Sequence, residues 1–431
     1  MSSQAAEKVS VDQLQVGVYI QLQEVWYMHP FLRSSFLIKK EKQIQALRDS
    51  GIKEVLYVPE KSQRPCLPAR KKKPAEPLQN EQEKDTSPDE NISGQVWETK
   101  QRRIKQFSNI QERIKKCSRQ YKNTVQKMPS MLNDIFAGRE EGMQNAQEVV
   151  SEMAQTFLSE TTAVMHLMDA EEADMDLAYH FLNVSVLSMM IGEAAQLQEE
   201  DMKHLGMGAL LHDLGKLRIE KKHLRKPREM LSKHELKLLK MHPQYGVETL
   251  CAIKTGPPQP VKEIVRHHHE ALSGIGYPQG LKADRISYLT RITTLANIFD
   301  NLCNPYNPEQ AMSPHHALSF IYRRYDLILD MHLVSLLVKR LGVYPPGCIV
   351  ELSTKEVAKV MAVDPAKPLR PLILLYDPDV PRKHAAVFNM DEDRDLFIDR
   401  CLNPEELSQE AARYLKPRQK VAYYAEEVPE K

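Results

Sequence analysis

Histidine is the residue type around which this sequence can do chemistry. Most of its 15 histidines fall between His166 and His316. In Ala209–Leu217, ALLHDLGKL, an apolar run leads into adjacent His212 and Asp213, then Gly215 and Lys216. Neighbouring helical residues point about 100° apart, yet near a helix end both can reach one ion. Upstream, Asp176 and His180 in DMDLAYH stand four apart, on one helix face. Downstream come Met241-His242-Pro243 and then RHHHEALSGIGYPQG, Arg266–Gly280, with His268, His269 and a glycine-rich turn. Imidazole is a borderline ligand, and a carboxylate is a hard one that can bridge two ions. A single histidine is usually a satisfied core or surface residue. The ordered set His180, His212-Asp213, His242, His268-His269, each in or beside an apolar run, is much harder to obtain by chance. With imidazoles and carboxylates and few thiolates, such a set suits Fe, Mn, Ni or Zn.

These residues need a helical scaffold. From 131 to 342 amphipathic runs such as LAYHFLNVSVLSMMIGEAA alternate with short turns, predicting an all-helical domain. Before it, Ile104, Phe107, Ile110, Ile114, Cys117, Tyr121, Val125 and Met128 recur at spacings of three and four. They predict a long amphipathic helix over 96–130, ended by Pro129. Its stripe serves either a coiled-coil homodimer, seamed along 96–128, or packing on the domain that follows. Residues 1–60 read as a small α/β domain, with strands in VGVYIQL and KEVLYVP and a helix in KKEKQIQALRDSGI ending at Gly51. Proline- and charge-rich 61–95 reads as a disordered linker. Residues 343–431 read as a β-containing appendage. The fold class expected is mainly α.

Composition narrows the function. The chain of 431 residues is too long for one domain, and 42% hydrophobic with 27% charged residues is ordinary for a globular protein. A net charge of +1 gives no basic excess for binding a nucleic-acid polymer. No apolar run is long enough to span a bilayer, and the polar N-terminus lacks a signal-peptide core. The six cysteines form no CxxC pair, so a cytoplasmic protein with reduced thiols is expected.

Residues 170–320 resemble the HD-GYP family, a branch of the HD superfamily of helical metal-dependent phosphohydrolases. The resemblance is carried by HDLGK at 212–216, HP at 242–243, HHE at 268–270 and GIGYPQG at 274–280. VGVYI, WYMHPFL and GIKEVLYV are similar to the small domain that often precedes such domains, and GVYPPGCIVELS to the tail that follows them. The resemblance implies hydrolysis of cyclic di-GMP, a bacterial second messenger, at two or three divalent transition-metal ions, Fe or Mn first and Ni or Zn next. Two or more such ions neutralise phosphodiester charge and lower the pKa of water. Carried over by motif, His180, His212, Asp213, His242, His268 and His269 match metal ligands, with Asp213 as the bridge. Asp176 sits where three-metal members carry glutamate. Lys216 would steady a phosphate oxygen. Gly274 and Gly276 allow a tight turn and a close backbone approach, and Tyr277 and Pro278 shape the loop against substrate.

The sequence also departs from that pattern. The last metal aspartate of the family falls at Asn297, in TLANIFDNL, with the second aspartate of that motif at Asp300 on the substrate side. Ser273 replaces an aspartate before the GYP turn. Tyr306 and Glu309 stand where the family holds substrate phosphate with Arg and Lys. The first reading is therefore a cyclic di-GMP phosphodiesterase weakened by these residues. The alternative is a degenerate HD-GYP protein that binds nucleotide or a partner, such as a GGDEF-type diguanylate cyclase, through its GYP loop.

Overall fold

The structure is a computed structural model. It describes residues 7–22, 35–68, 112, 116, 119–158, 164–168, 176–417 and 422–426, apart from 225, 227, 365, 379, 381, 383–386, 393 and 394. Residues 69–95 of the expected linker, the expected helix start at 96–111 and the WYMHPFL segment lie outside the described residues. Two compact units separate, one within Met1–Ile110 and Asp377–Val387, the other within Gln111–Tyr376 and Phe388–Lys431.

In the first unit, β1 (Glu7–Ser10), β2 (Tyr19–Gln21), β3 (Ser35–Leu37), α1 (Glu41–Asp49) and β4 (Glu54–Tyr57) follow in order. The strands form an antiparallel sheet, β1-β4-β2-β3. Val18, Ile20, Ile38, Ile44, Leu47 and Val55 fill its core. The expected boundary at 60 moves outward. The Gln63 and Arg64 N–H groups donate to Gly17 O and the Leu67 N–H donates to Gln13 O, so 61–68 belong with the sheet.

The second unit is mostly helical. Its helices are α2 (119–136), α3 (Glu140–Leu158), α4 (Asp176–Ala194), α5 (Glu199–Leu211), α6 (Lys221–Leu224), α7 (Lys233–Leu239), α8 (His242–Cys251), α9 (Gln259–His267), α10 (Tyr288–Cys303), α11 (Pro314–Arg324) and α12 (Met331–Leu341). Helix α2 runs through Pro129 rather than ending there. The stripe continues as Met131, Leu132 and Ile135, all buried in the domain core. Burying three such side chains, about 1.5–3 kcal/mol each, outweighs the roughly 3 kcal/mol cost of an interior proline. Tyr121, Val125 and Met128 are buried in the same core, so this part of the stripe packs inward and does not form a dimer seam.

Helix α4 is the centre. Phe181, Leu182, Val184, Val186, Leu187, Met189, Met190 and Ile191 are all buried, and α5, α10 and α12 pack around it. A helix apolar on every side belongs in the middle of a bundle. Strand β5 (Val164–Met168) interrupts the expected all-helical run.

The tail forms β6 (Ile349–Leu352), β7 (Val357–Ala362), β8 (Leu372–Leu375), β9 (Val387–Asn389) and β10 (Ile398–Leu402), in the sheet order β10-β6-β7-β8-β9. Helix α13 (Gln409–Leu415) and β11 (Ala422–Glu426) follow, and β11 pairs antiparallel with β5.

Candidate metal centre

Three helix ends deliver the imidazoles. Helix α5 stops at Leu211 with His212 as its C-cap, and α9 stops at His267 with His268 as its C-cap. His242 opens α8 just beyond the end of α7 at Leu239. The last carbonyls of a helix have no intrahelical donor. Each imidazole takes one of them. Nδ1 of His212 donates to Ala209 O at 2.7 Å, that of His242 to Leu239 O at 2.7 Å, and that of His268 to Val265 O at 3.0 Å. A carbonyl only accepts, so the ring hydrogen is on Nδ1. Burial lowers the pKa of all three, that of His268 to about 4. The rings are therefore neutral and Nε2 keeps its lone pair. The negative ends of the α5 and α9 dipoles add a field that favours cations.

The lone pairs converge on Asp213. Its Oδ1 lies 3.1 Å from His242 Nε2 and 3.5 Å from His268 Nε2. Its Oδ2 lies 3.3 Å from both His212 Nε2 and His180 Nε2. Burial pushes the Asp213 pKa up, but the Lys216 ammonium beside it holds it well below the usual range. Lys216 Nζ donates to Asp213 Oδ2. Asp213 Oδ1, fully buried, receives no hydrogen bond, and His242 and His268 set their Nε2 atoms 3.2 Å apart beside it. Two lone pairs and an unpaired carboxylate oxygen repel one another in a dry site. A divalent cation removes that cost, so this donor set fits a metal. Asp213, His242, His268 and His269 form one ligand-type group, and His180, His212 and Asp213 a second, with donor atoms in each within 4.8 Å of one another. Asp213 belongs to both.

His180 is oriented differently. Its Nδ1 donates to Asp300 Oδ2 at 2.6 Å. Burial lowers its pKa, but the Asp213 and Asp300 carboxylates more than offset this and raise it to about 8. Asp300, expected at the substrate, is fully buried, and its Oδ1 accepts from Asn183 Nδ2 at 2.9 Å and Asn304 Nδ2 at 2.8 Å. Both oxygens are engaged within the protein, Oδ2 by His180. Asn297 lies one turn earlier on α10 and is buried. Its Oδ1 accepts from Asn301 Nδ2 at 2.6 Å. Asp176 opens α4, and its side chain lies outside the described residues.

Residues 130–333 match the family model of the HD domain. That segment of the chain is an HD domain. Residues 6–146 match a domain of unknown function, DUF3391, and 349–410 a KOW domain associated with the HD domain. A cyclic di-GMP phosphodiesterase of Pseudomonas aeruginosa is 27% identical over 384 residues, 86% of this chain and 85% of that protein. A cyclic di-GMP phosphodiesterase response regulator of Xanthomonas campestris is 27% identical over 220 residues, 51% of this chain and 54% of that protein. A 3'3'-cGAMP-specific phosphodiesterase of Vibrio cholerae is 33% identical over 168 residues, 39% of this chain and 36% of that protein.

The glycine-rich loop of this HD domain folds back on the second ligand group. Gly274 has φ +84°, and a Cβ on Gly276 would stand 2.4 Å from Ala271 N and 2.5 Å from Glu270 Cα. Glycine is required at both positions. The approach puts the Tyr277 ring on His269, stacked at 4.6 Å between centroids and 18° between planes. The Tyr277 N–H donates to His269 O at 3.1 Å. Pro278 follows Tyr277 in the turn. Ser273 bridges to Lys282 across the loop base. Tyr306 and Glu309 are exposed. Sequence reasoning missed Glu270. This residue is 2% exposed, and its carboxylate accepts from Gln279 N–H at 2.7 Å and Leu281 N–H at 2.9 Å, clamping the loop. The signal was a carboxylate directly after three histidines and four residues before a glycine turn. Asn183 was missed too; its signal was one amide inside the apolar α4 run.

Proposed function

We propose that the chain is a metal-dependent phosphodiesterase that hydrolyses cyclic di-GMP. The observation that carries this is the convergence of neutral imidazole Nε2 atoms on the unpaired Asp213 Oδ1. The relatives and the HDLGK, HP, HHE and GYP motifs support the substrate class. In this reading His180, His212 and Asp213 would hold one ion and Asp213, His242, His268 and His269 a second, Asp213 being common to both groups. Asp176 is the added position for a third. Fe or Mn fits these donors best, and Ni or Zn also suits them. When bound, the ions supply Lewis acidity toward the phosphodiester and its attacking water.

The chain's own residues do the rest. Lys216 keeps Asp213 ionised and fixes its rotamer through Oδ2. The backbone carbonyls at 209, 239 and 265 fix three imidazole tautomers. The Gly274–Pro278 loop covers one side of the centre, with Tyr277 against His269. The Lys240 ammonium lies 5.2 Å from the Tyr277 ring centroid and has no ion pair among the described residues, which leaves a cation for a substrate phosphate. A second messenger of this kind places the enzyme in the cytoplasm.

One observation favours a second reading, a nucleotide- or partner-binding regulator without turnover. Asn297 is committed to Asn301 and brings no charge to the centre. Ile275, 76% exposed at the tip of the glycine loop, would then contact a GGDEF-type cyclase. A homodimer would form through the part of 96–128 upstream of Tyr121.

The deciding experiment is a product assay. Protein purified anaerobically and loaded with Fe(II) or Mn(II) is incubated with cyclic di-GMP or 3'3'-cGAMP, beside a His212→Ala control. Product from the wild type alone is expected. Intact cyclic di-GMP after long incubation, with metal shown to be bound, overturns the enzyme reading. Preference for 3'3'-cGAMP corrects the substrate.

A further inference from the structure

A buried hydrogen-bond chain leads from α2 to the candidate metal centre. The Tyr121 hydroxyl donates to Asn183 Oδ1 at 2.7 Å. Asn183 Nδ2 donates to Asp300 Oδ1 at 2.9 Å, and Asp300 Oδ2 accepts from His180 Nδ1 at 2.6 Å. His180 Nε2 then faces Asp213 Oδ2 at 3.3 Å. Tyr121, Asn183 and Asp300 are 2%, 1% and 0% exposed, so water does not substitute for any of these partners. The direction of the chain is fixed by chemistry. A carboxylate only accepts, so the Asn183 amide must turn its NH2 to Asp300 and its carbonyl to Tyr121. That carbonyl then needs a donor, and the phenol supplies it. The Tyr121 ring also stacks on Tyr179, the residue before His180, with centroids 5.8 Å apart and planes 24° apart.

We infer that Tyr121 is a positioning residue for His180, acting through Asn183 and Asp300. This rests on the reading of His180 as a metal ligand. Outer partners of a ligating histidine fix its ring orientation and basicity, and their loss costs roughly 10–100-fold in metal affinity. Tyr121 stands two links beyond Asp300, so its share is smaller. Because Tyr121 lies on α2, the placement of that helix is read at His180 through three hydrogen bonds.

The test is Tyr121→Phe, which removes the hydroxyl and keeps the ring on Tyr179. Apo-protein is titrated with Zn(II) against a competing chelator, and the visible spectrum of the Co(II) form is recorded. The expected result is about three- to tenfold weaker affinity and an altered Co(II) spectrum, with the thermal midpoint of the metal-free protein lowered only by the few degrees that one lost buried hydrogen bond accounts for. Asp300→Asn is expected to weaken affinity more. Tyr121→Phe added to Asp300→Asn should then change nothing further, because the path is already cut. Unchanged affinity and spectrum in Tyr121→Phe, while His180→Ala binds metal poorly, overturns the inference. So does full additivity in the double variant. Undiminished metal binding by His180→Ala instead removes the ligand reading, and the relay with it. Should Tyr121→Phe fail to fold, Asn183→Ser breaks the same chain and carries the same comparison.

Discussion

Asn297 is buried, and its amide oxygen accepts from Asn301 at 2.6 Å. A carboxylate there would still accept that bond and would add one negative charge on the α10 face that carries Asp300, the partner of His180. Asn297→Asp is therefore expected to raise metal occupancy, measured by elemental analysis after gel filtration. If turnover is limited by that position, product formation rises about tenfold, the equivalent of roughly 1.5 kcal/mol of charge-assisted contact. No gain in either quantity would mean that position 297 does not face an ion. At this scale the sequence was informative about residue type and poor about partners. The spacing of His212-Asp213, His242 and His268-His269 picked out side chains that the structure brings together, because those residue types seldom line apolar helix ends without a purpose. The role of Asp300 was not legible. Its partners His180 and Asn183 lie 120 and 117 positions away, and no helical period connects them.

The GYP loop and the HD turn are the elements that aim the donors, and both depend on backbone approach. A Cβ on Gly215 would stand 1.9 Å from His242 O and 2.5 Å from Gly246 N, so the turn after Asp213 lies directly on α8. Backbone cannot retreat as a side chain can. Gly215→Ala should cost roughly 3 kcal/mol or more, read as a large fall in the thermal midpoint with loss of bound metal. In the loop, Glu270 accepts two backbone N–H bonds while buried. Glu270→Gln replaces one acceptor oxygen by an NH2 that faces an N–H. A loss of about 2 kcal/mol is expected, together with a loop displaced from His269. Gly276→Ala presses a methyl group onto Ala271 N and Glu270 Cα, so it should move Tyr277 and lower kcat about 100-fold while metal content stays near normal. Retained kcat in Gly276→Ala would show that the Tyr277 stack is not needed for turnover. The glycines were readable from the sequence as a turn. The clamp by Glu270 was not, because a carboxylate in HHE reads equally well as a ligand.

At the scale of the whole chain, periodicity found the long helices and five of the eleven strands among the described residues, but not how distant segments close the second unit. Strands β2, β4, β6, β7 and β8 lie in stretches rich in Val, Ile, Leu and Tyr. Strands β1, EKVS, and β3, SFL, lie outside those stretches. Pro129 was misleading for the opposite reason, since burial of Met131, Leu132 and Ile135 beyond it outweighs a local preference. The pairing of β11 with β5 was beyond reach of any local signal. It registers Ala422 with Met168 and Glu426 with Val164, roughly 250 residues apart along the chain. Helices α3 and α4 both border β11, and α4 carries His180. Ending the chain after Pro417 would strip β5 of its partner and leave an open strand edge beside the helix that positions a ligand. We expect that truncation to cost about 2 kcal/mol, a fall in Tm of roughly 5 °C, and to weaken metal binding at the group that contains His180. Thermal unfolding with and without Zn(II) checks both parts. An unchanged midpoint would mean that the two-stranded pair contributes nothing to the bundle. A lower midpoint with unaltered metal affinity would mean that α4 holds His180 without help from the C-terminal strand.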